Sequence, residues 1–203
     1  IKIDLTKSYP TSYCLEANAF MLARYAKTVQ NNEMVPIVEP EVIMDGAHSI
    51  EDCYEVTSST LKKVFEQLNL HKVDLSGILL KPNMVISGNE CKEQASIEKV
   101  AKLTVQCLSE NVPKEVPGIV FLSGGQSNEK ATLHLNEMNK IFKDLSWKLS
   151  FSYGRALQQP SISSWKGEKN NVKISQDALF NRSKLNSSAT SGTYSLKDEQ
   201  PTL

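Results

Sequence analysis

The chain has 203 residues, 40% of them hydrophobic and 23% charged, a composition that is typical of a folded domain and excludes a disordered or collagen-like chain. Its 23 basic and 23 acidic side chains give a net charge of zero, which removes the long-range attraction of basic proteins to phosphate backbones and anionic lipids. No apolar run approaches the roughly eighteen residues of a membrane span. From the neutral charge and this lack of a span together, we expect neither a nucleic-acid nor a membrane partner.

Helical and strand-like segments alternate along the chain. The helical segments repeat apolar residues every three or four positions, and the strand-like segments are short, continuous apolar runs. In chain order, the sequence predicts a helix over 11–31, a strand over 34–38, a helix over 49–69, a strand over 77–80, a helix over 96–111, a strand over 118–122, a helix over 128–142, a strand over 148–151 and a helix over about 170–185.

This alternation is typical of β-α units around a parallel sheet, because parallel strands buried on both faces are apolar throughout. The sequence therefore predicts an α/β fold. After residue 185 the composition turns to Ser, Thr, Gly and Lys. We expect one folded unit over 1–185 and a flexible C-terminal tail over 186–203.

The cysteines are far apart in the sequence and form no CxxC pair; they are Cys14, Cys53, Cys91 and Cys107. Such spacing fits neither a zinc site nor a disulfide framework. Free thiols are typical of a reducing compartment, so we expect a cytoplasmic protein that holds no metal.

Each predicted strand ends in a charged or glycine-rich cluster. The clusters are Glu39-Pro40-Glu41, Lys81-Pro82-Asn83, Ser123-Gly124-Gly125-Gln126 and Ser152-Tyr153-Gly154-Arg155. In α/β architectures the carboxyl ends of parallel strands meet at one edge, where the functional site forms. The periodicity of the chain therefore predicts a site built from these clusters.

Lys81 follows an apolar strand and would stand at the mouth of a dry interior. An ammonium there is poorly solvated, which favours the neutral amine, and a neutral amine can attack a carbonyl carbon to form a Schiff base. The alternative is a lysine at a strand end whose stem only covers apolar surface.

Glu39 and Glu41 flank Pro40, and the alternation of an extended segment places both carboxylates on one side of the chain. A carboxyl group buried beside an amine can act as a general acid or base. Glu41 is the better candidate for a supporting charge that holds a cation. The alternative is a pair of solvated carboxylates that open a loop.

The Ser123-Gly124-Gly125 turn before a helix and the Gly154-Arg155 pair after the last strand resemble two halves of a phosphate site. Glycines let backbone N–H groups face an anion, a helix N-terminus adds its dipole, and arginine supplies paired donors. Alternatively, the glycines only allow the chain to turn.

At these motifs the chain resembles class I fructose-1,6-bisphosphate aldolase, the Schiff-base type. The resemblance extends from about Lys2 to Tyr194. The matching stretches are LARYA at 22–26, VPIVEPE at 35–41, LLKPNM at 79–84, FLSGGQS at 121–127 and FSYGRALQ at 151–158.

The resemblance implies a (β/α)8 barrel, usually a homotetramer without metal or cofactor. Such an enzyme reversibly cleaves fructose 1,6-bisphosphate to dihydroxyacetone phosphate and glyceraldehyde 3-phosphate. It also implies that Lys81 is the Schiff-base lysine, Glu39 the general acid/base and Glu41 the supporting carboxylate. The residues that would bind the phosphate of the keto half are Ser123, Gly124, Gly154 and Arg155.

The chain matches only the second half of that barrel, roughly strands five to eight. An aspartate and two lysines of the family's site belong to the half that is not matched, the family's C-terminal tyrosine is absent, and Glu33 stands where the family usually has glycine. Half a barrel exposes two edge strands, and we expect these 203 residues alone to have little activity.

A second hypothesis is a non-catalytic half-barrel that acts as an interaction module and binds a partner or an intact aldolase subunit. Another phosphosugar lyase on the same scaffold is disfavoured, because LLKPNM and SYGRALQ resemble the aldolase motifs so closely.

Overall fold

Four parallel strands form one sheet in the computed structural model, which describes residues 1–199. Their spatial order, β1-β2-β3-β4, is also their order in the chain. The strands are β1 Ile37–Val38, β2 Leu79–Leu80, β3 Gly118–Phe121 and β4 Lys148–Phe151. The predicted α/β fold with a parallel sheet is confirmed, and the numbering of these strands as five to eight of a barrel stays a prediction.

Six α-helices follow or precede these strands within residues 1–199. They are α1 Ser12–Asn31, α2 Ile50–Leu70, α3 Ile97–Asn111, α4 Asn128–Ile141, α5 Arg155–Trp165 and α6 Val172–Thr190. No helix in this described part combines the length and apolar character that crossing a bilayer requires.

The first four helices begin where the sequence offers a hydroxyl cap. Thr11, Ser49, Ser96 and Ser127 each precede a helix and accept a hydrogen bond from the backbone N–H three residues later. This bond satisfies one of the N–H groups that a helix start leaves unpaired. The caps fix where each helix leaves its loop, and so help to fix the loops at the strand ends.

The two faces of the sheet differ in exposure. One row across the strands is buried and consists of Val38, Leu80, Ile119 and Leu149, which pair in register. Ile37 and Leu79, one position earlier, are only partly buried. Side chains alternate between the faces of a strand, so the helices cover one face and leave the other open. Glu39 and Lys81 continue the row on the open face.

Helix α5 was not predicted from the sequence. It contains Pro160, which lacks the N–H for a helical hydrogen bond and usually interrupts a helix. Ala156 is the only one of its residues that is fully buried, so the helix shows no apolar stripe. Both features hide α5 from an analysis of hydrophobic periodicity.

The expected tail boundary at residue 186 falls inside α6, because the Ser-rich end of this helix is packed. Asn186 and Ala189 are fully buried, and Tyr194 is 5% exposed. Arg182 donates two hydrogen bonds from Nη1 to the Glu199 carboxylate, at 2.7 and 2.9 Å. Residues 200–203 of the expected tail lie outside the described residues.

We predict that Glu199→Ala lowers the free energy of unfolding by about 2 kcal/mol, because it leaves the buried Arg182 guanidinium without its carboxylate. Asp177→Ala is the matched control, since it breaks the exposed ion pair with Lys173 on the same helix and costs about 0.5 kcal/mol or less. Urea denaturation of both variants measures the difference. Equal effects would mean that residue 199 is not packed in solution.

Candidate functional site

The residues that follow the strands are brought side by side by the continuing backbone ladder. Lys81 N donates to Val38 O at 2.7 Å, which places the end of β2 beside the end of β1. Ser152 N donates to Phe121 O at 2.8 Å, which does the same for β4 and β3. The predicted clusters therefore share one edge of the sheet.

Lys81 and Glu39 are in direct contact at this edge. The Lys81 Nζ lies 3.0 Å from Glu39 Oε2. The Lys81 side chain is 20% exposed and that of Glu39 49% exposed, so the carboxylate is open to solvent while the amine is largely covered. An amine beside a carboxylate can undergo nucleophilic addition with a proton donor and acceptor at hand.

Glu41 lies near Lys81 and Glu39 but is not the carboxylate that pairs with the lysine. It borders, together with Glu39 and Pro40, a cavity of about 160 Å³. Within residues 1–199, Glu41 has no ion pair within 4.0 Å of a basic side chain, whereas Glu39 contacts Lys81. The structure thus brings Glu39 to the lysine, and the supporting role of Glu41 stays a prediction.

Asn83 holds the loop after β1 against the segment after β2. Its Oδ1 accepts from Val42 N at 2.9 Å, and its Nδ2 donates to Thr57 Oγ1 and to Met84 O, both at 3.0 Å. The side chain is 4% exposed, and its pairing avoids the cost of a buried, unsatisfied amide. The sequence places Asn83 in the cluster after β2 but does not predict these hydrogen-bond partners.

The glycine turn after β3 lies against Arg155. Gly124 and Gly125 have φ values of 57° and 82°, the left-handed region that glycine tolerates without strain. A Cβ at Gly125 would come within 3.4 Å of Arg155 Nη2 and within 3.1 Å of Met44 Sδ. Ser123 is buried at the start of this turn.

Gly154 precedes α5, and Arg155 is the first residue of that helix. A Cβ at Gly154 would meet nothing within 4 Å, so packing does not require glycine there. Arg155 is exposed and, among the described residues, pairs with no carboxylate within 4.0 Å. The guanidinium is therefore available to an anion at the glycine turn.

Two buried polar residues lie behind the turn, and the sequence predicts a role for neither. Gln126 donates from Nε2 to Ser123 O at 3.0 Å, and its Oε1 lies 2.6 Å from His134 Nδ1. Burial lowers the pKa of His134 to about 3. The sequence offers only a weak signal for His134, since its position in the apolar repeat of α4 indicates burial without indicating a partner.

The edge thus combines a largely covered amine with a carboxylate and, beside them, hydrogen-bond donors that suit an anionic group. In the part of the chain that the structure describes, no three His, Cys, Asp or Glu side chains gather as a metal site. Sequence comparison identifies the family to which these groups belong. The family model described as class-I fructose-bisphosphate aldolase matches residues 1–202. The chain belongs to this family.

Individual relatives agree with the aldolase family match. A probable fructose-bisphosphate aldolase class 1 of Xanthomonas axonopodis pv. citri (strain 306) is 51% identical over 193 residues, which are 95% of this chain and 58% of that protein. The fructose-bisphosphate aldolase of Dictyostelium discoideum is 49% identical over 194 residues, 96% of this chain and 54% of that protein. The resemblance inferred from the sequence motifs is therefore confirmed.

A solved structure shares the fold over nearly the whole chain. It is fructose-bisphosphate aldolase from Plasmodium falciparum, in a ternary co-crystal with TRAP and a small-molecule inhibitor. The TM-score is 0.93 at 47% identity, and the match covers 96% of this chain and 56% of that aldolase chain. The chain thus spans a little more than half the length of the aldolases it matches.

We predict that Gly125→Ala destabilises the fold more than Gly167→Ala. Both glycines have φ near +80°, so an added Cβ costs each about 1 kcal/mol of backbone strain. Only Gly125 faces close neighbours, whereas a Cβ at Gly167 would meet nothing within 4 Å. Denaturation measures both variants, and equal losses would contradict the close approach of Arg155 and Met44 to the turn.

Proposed function

We propose that this chain carries the keto-phosphate half of an aldolase site, in which Lys81 forms a Schiff base with the ketone carbonyl of fructose 1,6-bisphosphate or dihydroxyacetone phosphate. The observation that supports this most strongly is the 3.0 Å contact between Lys81 Nζ and Glu39 Oε2. The family match supports a class I aldolase lyase of glycolysis as the activity of the whole protein.

The proposed reaction begins at the largely covered amine of Lys81. Its lone pair attacks the ketone carbon and gives a carbinolamine, and a proton from the Glu39 carboxyl group lets the hydroxyl leave as water. The Glu39 carboxylate, which has just lost its proton, then takes the proton of the hydroxyl group on the far side of the breaking carbon–carbon bond. The iminium accepts the electron pair of that bond, so that an aldehyde departs and an enamine stays on Lys81. Protonation of the enamine and hydrolysis then release the keto product and restore the amine.

The phosphate of the keto half would bind at the glycine turn. Gly124 and Gly125 can present backbone N–H groups, and the Arg155 guanidinium lies beside Gly125. Arginine can bind a phosphate through two parallel hydrogen bonds, which fixes orientation as well as charge. Ser123 and Gly154 complete the proposed set at the ends of β3 and β4.

Because the chain spans little more than half of its relatives, we propose that it binds the keto phosphate and forms the imine but turns over slowly alone. The family's homotetramer and a cytoplasmic location belong to the same proposal. A non-catalytic half-barrel that binds a partner is the alternative that the experiment below separates from it.

We predict that incubation with dihydroxyacetone phosphate followed by borohydride reduction gives a covalent adduct on Lys81, identified by mass spectrometry of peptides. Lys81→Met should abolish the adduct. Lys148→Met is the matched control, because Lys148 lies on β4 at the opposite end of the sheet and should leave the adduct unchanged. Glu39→Gln should slow adduct formation by about a hundredfold, since it removes the proton donor.

An adduct that persists in the Lys81→Met variant, or that spreads over several lysines, would contradict the proposal. No adduct from mildly acidic to alkaline pH in a folded chain would favour the interaction module instead.

A further inference from the structure

The carbonyl group of Ser123 accepts two hydrogen bonds from one residue. Gln126 donates from its backbone N at 3.1 Å and from its side-chain Nε2 at 3.0 Å. Between these two residues lie the left-handed Gly124 and Gly125. Gln126 therefore closes the glycine turn with two hydrogen bonds, one from its backbone and one from its side chain. The same Nε2 also contacts Met84 Sδ at 3.6 Å, in the segment after β2.

The orientation of the Gln126 amide determines which ring nitrogen of His134 carries the hydrogen. Because a carbonyl oxygen such as that of Ser123 can only accept, the amide nitrogen must face it, and the amide oxygen faces His134. Gln126 Oε1 can likewise only accept, so His134 Nδ1 must donate across the 2.6 Å separation. The neutral imidazole then carries its proton on Nδ1, and Nε2 keeps a lone pair.

The environment of His134 agrees with this assignment. The ring is fully buried, and Nε2 has no hydrogen-bond partner within residues 1–199. A protonated ring would place a charge there, close to the ammonium group of Lys130, and both effects lower the pKa of His134. The imidazole therefore stays neutral down to about pH 3 and acts as a fixed donor.

A cavity lies beside the Gln126 amide. Gln126 and His134 both border a cavity of about 220 Å³, which also reaches Gly125. An amide next to such a space can rotate unless a hydrogen bond opposes the rotation. Rotation would remove the side-chain bond to Ser123 O and loosen the turn.

We propose that His134 is a positioning residue for the phosphate-binding turn: its Nδ1–H fixes the Gln126 amide, which in turn fixes the Ser123 carbonyl and the two glycines. The proposal rests on the proposed function, since it assigns the turn to a phosphate. His134 touches no substrate in this account and acts only through Gln126.

Three variants of α4 test the proposal. His134→Leu removes the donor, and His134→Asn keeps it, because an asparagine amide can place an N–H near the position of Nδ1. Met138→Ala is the control for a general loss of packing, since Met138 is buried in the same helix without contacting the turn through a hydrogen bond. Calorimetric titration with inorganic phosphate and with dihydroxyacetone phosphate measures affinity.

We expect His134→Leu to weaken both affinities about tenfold, which is the worth of one hydrogen bond to the turn. The Asn and Met138→Ala variants should stay within about twofold of the parent chain. In the parent chain, ¹⁵N shifts should report a protonated Nδ1 and an unprotonated Nε2 at both pH 8 and pH 5. A protonated Nε2 tautomer, or equal affinity in the Leu and Asn variants, would overturn the proposal.

A second measurement separates this proposal from the proposed function. If the parent chain binds neither ligand, the phosphate site fails. Amide hydrogen exchange at Gly124, Gly125 and Gln126 then decides on His134 alone. Faster exchange in His134→Leu than in His134→Asn would retain its positioning role, and equal exchange would refute it.

Discussion

The proposed site depends on the parallel register of β1 and β2. Val38 pairs with Leu80, and Lys81 N donates to Val38 O at 2.7 Å, so the next residue of each strand stands at the same height on the open face. Glu39 and Lys81 thereby come within 3.0 Å of each other. Because side chains alternate along a strand, a shift of one residue in either strand would turn one partner towards the helices and separate the pair.

Hydrogen bonds from two buried amides and a phenol hold the loops that follow the short strands in place. Asn83 joins the loop after β1 to the segment after β2, and Gln126 joins that segment to the glycine turn after β3. Tyr153 O–H donates to Ala131 O at 2.9 Å, which ties the segment after β4 to α4. Strands of two to four residues leave most of the site in loops, and these side chains supply the hydrogen bonds that a longer ladder would provide.

The sequence predicted what local patterns encode. Apolar runs and helical repeats placed all four strands and five of the six helices, and the motifs at the strand ends placed Lys81 next to Glu39. Helix α5 escaped because Pro160 and a lack of buried positions remove the periodic signal. The contacts of Asn83, Gln126 and His134 were not predicted for a different reason. They depend on partners from other elements, and no spacing along the chain reveals a tertiary hydrogen bond.

We propose that one bound keto phosphate contacts three groups at this edge: the Lys81 amine, the Glu39 carboxylate, and the hydrogen-bond donors of the glycine turn and Arg155. A crystal structure of the chain soaked with dihydroxyacetone phosphate tests it most directly. We expect the former carbonyl carbon of the ligand to be bonded to Lys81 Nζ, with Glu39 beside it and the phosphate held by the glycine turn and Arg155. A folded chain in which Lys81 Nζ points into bulk water, or in which the phosphate lies away from Arg155, would contradict the account.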